Sequence, residues 1–410
     1  MKPSFSSAQK KLLLTCLTVY TSAYFCRLNL SAALSGIMEA FALSMAQGGM
    51  LQTVFAAVYA CGQLINGAIV DRVNPARHLL TGIAGTALCN LIMGVSGSYP
   101  MLLAVWAVSA LFQSMMWTPI VRLIAIHVRD DVLRVRAQGV LALTLVIGHF
   151  GAWAISGFLA GYVSWRYSFV VPACIALIVF AAASRILSPF GVPASERKAP
   201  SASAAAGGKA ESTLGILHST GFFFIMGACL LYGFVRDGVI TWTPTMLEHI
   251  SGAGNSSSTA FTLILPVINL VGVTLGFKLR MSGVRPHAVI FIMMLFSAGC
   301  CAALIGAGHI FLIAVLLGMV CAAAYGANTM FTALIPIEYD RVGKTGLTAG
   351  LIDSFIYLGG AFSGVLGGVI YDHAGSALLY ASWILASAAS ALAAKAGQKL
   401  YDRYFQSSRI

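Results

Sequence analysis

The chain has 410 residues, of which 59% are hydrophobic and 9% charged, against about 25% charged in an ordinary soluble domain. That balance excludes a water-soluble globular protein, and it leaves the formal charge of +12 no soluble domain on which to bind nucleic acid. All nine cysteines fall inside apolar stretches, so they read as small buried hydrophobes rather than a disulfide framework or a CxxC metal site.

Apolar runs long enough to cross a bilayer as helices are expected at about 12–37, 46–70, 78–96, 100–127, 137–162 and 167–188. A second set follows at about 220–245, 257–279, 287–305, 310–337, 346–371 and 377–395. The intervening stretch, with its Pro-Ser-Ala-Ser-Ala-Ala-Ala-Gly-Gly-Lys run, has the small-residue composition of a flexible linker. The chain therefore divides into an N-terminal six-helix half (1–188), a linker (189–219), a C-terminal six-helix half (220–395) and a tail (396–410). This is an all-α membrane protein with twelve transmembrane helices in two pseudo-symmetric halves. No secretory signal peptide is expected, because the first apolar run is too long and lacks a small-residue cleavage site. With both termini, the linker and the tail in the cytoplasm, 22 of the 25 Lys and Arg fall on the cytoplasmic side or at the inner ends of spans. Arg27 and Arg236 lie inside spans and Arg166 alone lies outside, which satisfies the positive-inside rule. The rest of the positive charge reads as attraction to anionic lipid.

The first span carries Tyr20-Thr-Ser-Ala-Tyr24-Phe-Cys-Arg27-Leu-Asn29. An arginine that deep in a bilayer costs about 2.5–3.5 kcal/mol even on insertion scales, so it belongs in a protein interior or a water-filled cavity. Tyr24 and Tyr20 precede it by three and seven residues and share its helical face. The pattern returns in the seventh span as Tyr232-Gly-Phe-Val-Arg236-Asp237. Guanidinium is permanently charged and offers a planar fork of donors that fits phosphate oxygens in pairs. Two such groups at matching depth, one from each half, point to a shared anion site.

Between spans two and three the chain reads Gly67-Ala-Ile-Val-Asp71-Arg72-Val-Asn74-Pro75-Ala-Arg77, which resembles the loop signature of the major facilitator superfamily. Six spans, a linker and six more spans is also the layout of that fold. The resemblance implies that Gly67, Asp71, Arg72 and Arg77 close the cytoplasmic side. Within the superfamily, four pieces resemble the organophosphate:phosphate antiporters. They are the span-one set above, Phe112-Gln113-Ser-Met-Met-Trp117-Thr-Pro119-Ile-Val-Arg122 in span four, Arg236 followed by Gly238 and Trp242-Thr-Pro244-Thr245 in span seven, and the glycine-rich stretch leading to Tyr357-Leu-Gly359-Gly360 in span eleven.

That resemblance implies a secondary transporter of a small organic anion, working by alternating access. It exchanges an organophosphate for inorganic phosphate, in a bacterial-type inner membrane, as a monomer and without a cofactor. The expected substrate contacts are Arg27, Arg236, Tyr20, Tyr24, Tyr232 and Tyr357, with Gln63 and His149 added. Gln63 stands where the family usually has a span-two lysine, and His149 is either a ligand or a packed core residue. Arg122 is expected to be structural or gating. Asp237 and Asp353, inside spans seven and eleven, are expected either to carry protons or to pair with a neighbouring cation. Two alternatives stay open: a proton-coupled symporter of carboxylates or phosphonates, and a transporter-like sugar-phosphate sensor. No nucleophile–base pattern, P-loop or metal cluster points to an enzyme.

Overall fold

The computed structural model describes residues 4–69, 73–190, 213–251, 264–339 and 345–407. Every regular element among them is helical. Helix α1 (Ser7–Phe41) starts at a reciprocal cap, in which the Ser6 side chain accepts from Gln9 N and the Gln9 side chain accepts from Ser6 N. It stops at Ala42, which adopts a left-handed φ of 50°. Helix α2 spans Met45–Ile69. Pro75 opens α3 (Pro75–Val95), and the Asn74 side chain caps it by accepting from Ala76 N and Arg77 N.

The fourth span is two helices, α4 (Tyr99–Ser114) and α5 (Trp117–His127). The reason is local: Pro119 lacks an N–H and its ring crowds the carbonyl four residues back, at Met115, where the helix breaks. Helices α6 (Asp131–Tyr162) and α7 (Tyr167–Leu187) follow. Beyond the linker come α8 (Thr213–Ser219), α9 (Phe222–Ser251), α10 (Ile264–Met281), α11 (Pro286–Ile305) and α12 (Ile310–Thr329). A π-helical turn, Met330–Leu334, leads into the short α13 (Ile335–Glu338). Helix α14 runs from Thr345 to Ser407 with a single non-helical residue, Gly375, at φ 72°. Gly375 falls between the two last spans expected from the sequence, and the helix then continues through much of the stretch expected to be a tail.

Eight helices among the described residues are long and apolar enough to cross a membrane, and the last of these, Thr348–Gln406, is 59 residues long. Helix α1 is not one of them, because Tyr, Thr, Ser, Arg27 and Asn29 lower its hydropathy. Those same polar residues supply its internal contacts.

The described residues form two compact units. The first draws on Met1–Leu43, Ala57–Ser201 and Pro244–Leu263, and the second on Ser44–Ala56, Ala202–Thr243 and Ile264–Ile410. In the first unit α1 packs on α6 and α7, and α3 packs on α7 and α4, around a core that includes Leu12, Val19, Ile83 and Leu123. Glycines make the close approach: Gly148 and Gly151 of α6 lie flat against Tyr24 and Phe25 of α1. In the second unit α11 packs on α12 and α14, and α10 packs on α12, with Phe222, Met293, Phe331 and Ile352 in the core.

Candidate functional site

In the first unit the deep arginine is anchored from span four. Arg27 Nε donates to Gln113 Oε1 at 2.8 Å. Gln113 is fully buried, and its own amide nitrogen donates to the Cys26 carbonyl at 3.2 Å and to Ser109 Oγ at 3.3 Å. Those two bonds turn its oxygen toward the guanidinium. The ring of Tyr59, from α2, lies 4.5 Å from the guanidinium carbon and that of Tyr24 lies 5.4 Å away, both within cation–π range. Gln63 in turn donates to the Tyr59 hydroxyl at 2.7 Å and accepts from Thr118 Oγ1 at 3.4 Å. Gln63 thus sits one residue behind Arg27, holding the tyrosine that covers it.

Tyr20 is buried and packs 5.2 Å from Tyr24 and 5.1 Å from Trp117, between ring centres. His149 is also buried, with its ring 5.3 Å from Tyr24 and 5.9 Å from Trp153. The structure therefore brings Tyr20, Tyr24, Gln63 and His149 around Arg27. Arg122 belongs to α5 and is half-buried. Asn29 faces the other way, donating to Asn90 Oδ1 at 2.8 Å and to the Ser168 carbonyl at 3.0 Å, which ties α1 to α3 and α7.

The second unit repeats the plan with one change. Arg236 Nη1 donates to Asn328 Oδ1, on α12, at 3.3 Å, and the Tyr232 hydroxyl donates to the same oxygen at 3.1 Å. The rings of Tyr232 and Tyr357 each lie 5.5 Å from the guanidinium carbon. Here, however, the guanidinium is also gripped by a carboxylate. Its Nε and Nη2 donate to the two oxygens of Asp237 at 2.7 and 3.2 Å, and the two side chains are only 11% and 10% exposed. Of the two roles expected for Asp237, ion pairing is the one the geometry displays. Asp353 is half-buried on α14, in the electrostatic field of Arg236. Close helix contact makes this arrangement possible, since a Cβ on Gly360 would collide with Asp237 Oδ2, and Gly233 and Gly359 press on the Ile356 and Leu230 carbonyls.

The expected cytoplasmic gate is only partly in view. Gly67 belongs to the end of α2 and Arg77 is exposed in the first turn of α3, whereas Asp71 and Arg72 lie outside the described residues. Two residues that hold the arginines were not predicted as site residues. Gln113 belongs to the span-four stretch that carried the family resemblance, but Asn328 sits in an apolar run without a motif. The arginine and its carboxamide are 86 residues apart in the first unit and 92 in the second, too far for a local pattern to link them.

With this geometry established, comparison with known proteins is decisive for the family. The Major Facilitator Superfamily profile matches residues 16–364. The chain belongs to that superfamily. Its fold is the all-α facilitator fold, and membership places it among multi-pass membrane transporters rather than enzymes. Among solved structures, a D-xylose–proton symporter superposes with a TM-score of 0.74 over 94% of this chain and 97% of its own, at 16% identity. The glycerol-3-phosphate transporter of Bacillus subtilis is 25% identical across 93% of this chain and 91% of its own length. A probable hexose phosphate transport protein of Chlamydia muridarum is 25% identical over 160 residues, which is 39% of this chain and 35% of that protein. The membrane sensor protein UhpC of Escherichia coli is 26% identical over 42% of this chain and 39% of its own. The chain thus spans about a third of the hexose phosphate relatives it matches. The names of these relatives agree with the antiporter resemblance carried by the sequence motifs.

Proposed function

We propose that this facilitator exchanges a phosphorylated metabolite, of the sugar or glycerol phosphate type, for inorganic phosphate by alternating access. It would do so in a bacterial inner membrane, as a monomer with both termini cytoplasmic. The observation that carries the reading is the mid-helix guanidinium of Arg27, fixed in orientation by Gln113 and covered by Tyr59. A permanent cation held in the middle of a spanning helix suits an anionic cargo. In this reading Arg236 is the second ligand of the same phosphoryl group, and each half contributes one arginine. The Bacillus subtilis relative, named as a glycerol-3-phosphate transporter, matches along nearly the whole chain and supports the substrate class.

A specific observation keeps a second reading, proton-coupled uptake of an organic anion. Asp353 is a carboxylate inside a spanning helix, near a buried arginine, and such groups serve as proton carriers in transporters. One experiment separates the two. Proteoliposomes containing the full chain are loaded with phosphate or left empty, and uptake of labelled phosphate or glycerol 3-phosphate is followed with and without a pH gradient. Exchange requires internal phosphate and ignores the gradient, whereas uptake into empty vesicles driven by an inward proton gradient rejects exchange. Ligand binding without flux in any arm points to a sensor.

A further inference from the structure

The surroundings of Arg236 in the second unit hold acceptors that a phosphoryl group cannot satisfy. Arg236 brings its own counter-charge in Asp237, and three of its five N–H groups are spent on Asp237 and Asn328. Two further acceptors belong to the same unit, one on α10 and one on α14. Asn269 of α10 is 7% exposed, and its Oδ1 has no hydrogen-bond partner among the described residues. Its helix lies close against α12 there, with Gly272 against the Ala322 backbone and Ile268 against Gly318, and α12 also carries the Asn328 that holds Arg236. Asp353 of α14 lies one turn before Tyr357, whose ring is 5.5 Å from the Arg236 guanidinium carbon, and it receives no hydrogen bond from the described residues.

A buried acceptor without a donor is costly, and the cost is recovered when a ligand supplies the missing N–H or O–H. Ionised phosphate oxygens are acceptors themselves. Hydroxyl and ammonium groups are donors.

We propose that the second unit binds the hydrogen-bond donors on the organic part of the cargo, with Asn269 Oδ1 and the Asp353 carboxylate as the acceptors. The assignment rests on the organophosphate reading above and adds a division of labour. The anionic head is the part that all cargoes share. The second unit tells a hydroxyl- or amino-bearing cargo from a bare one. Both donor types satisfy the same acceptors, and the charge on Asp353 is what distinguishes them.

The test is competition against labelled phosphate exchange by the full-length protein in phosphate-loaded proteoliposomes. Three competitors are used: glycerol 3-phosphate with hydroxyl donors, O-phosphoethanolamine with an ammonium, and methyl phosphate with no donor on its organic part. Wild type is expected to favour at least one donor-bearing competitor over methyl phosphate. In Asn269→Leu and Asp353→Asn that preference should shrink by about tenfold, the worth of one lost bond to a buried or charged group. Asn269→Asp keeps the size and restores an acceptor, so it should retain the preference. An effect of Asp353→Asn confined to O-phosphoethanolamine assigns the donor as ammonium, and an effect on glycerol 3-phosphate assigns it as hydroxyl. A wild type without any preference overturns the proposal, as do variants whose three affinities fall in equal proportion. The same ratios are read by tryptophan-fluorescence titration of the purified protein. Absence of phosphate exchange in wild type therefore defeats the exchange reading while the binding ratios still decide this one.

Discussion

The two units solve one problem with different electrostatics. In each, an arginine deep in the first long helix donates to a carboxamide oxygen on a later helix, Gln113 in one and Asn328 in the other. Each carboxamide sits two residues before an irregularity, the break at Met115 in the first unit and the π-helical turn from Met330 in the second. Tyrosine rings flank both guanidinium groups. The spans of the first unit through α7 contain no Asp or Glu between Leu12 and Ile37, or within α2 to α5, whereas the second unit places Asp237 directly on Arg236 and Asp353 nearby. Symmetry of scaffold has been kept and symmetry of charge has not. A buried ion pair is positioned for geometry more than for net stability, and its carboxylate makes the surroundings of the second arginine less electropositive.

The largest effect that would test this contrast comes from shortening each fork. Arg27→Lys should reduce phosphate exchange about a hundredfold, as expected for losing two charge-assisted hydrogen bonds, and Arg236→Lys should cost nearer tenfold. Initial rates in proteoliposomes measure both, and a larger loss at Arg236 would reverse the ranking. Next in size is Asp237→Asn, which removes the counter-charge while keeping the shape. It should destabilise the purified protein by roughly 3 kcal/mol, the cost of breaking a buried pair, seen as earlier thermal unfolding. At the same time phosphate affinity should rise, and unchanged affinity would show that Arg236 does not reach the anion. The smallest effect is expected for Tyr59→Phe. It keeps the ring over Arg27 but removes the hydroxyl that Gln63 holds, so half-saturation should rise about two- to threefold, the range of one neutral hydrogen bond. A loss as large as that of Arg27→Lys would make the hydroxyl itself a ligand.

Much of this was legible in the sequence, for definite reasons. A lone arginine far inside an apolar run is conspicuous because hydrocarbon penalises charge, and tyrosines three and four residues before it must share its face. The break in span four departs from the single span expected at about 100–127, and its cause is Pro119, whose ring crowds the carbonyl four residues back. Asn328 was invisible by comparison. A carboxamide in a helix of otherwise small apolar residues has no periodic partner, and its meaning lies in another helix 92 residues away. The pairing of Asp237 with its neighbour was weighed against proton transfer, and adjacency alone could not decide, since consecutive side chains on a helix point about 100° apart. The bidentate contact between them displays the ion pair. Asn269 passed unnoticed for the same reason as Asn328.

The bare backbone at Gly360 has a further implication. Since even a methyl there would strike the carboxylate of Asp237, the acid keeps its place only while this position stays glycine. Drift around this helix crossing can therefore retune which cargo is favoured, at positions such as Asn269, while the orientation of the charge pair is inherited unchanged.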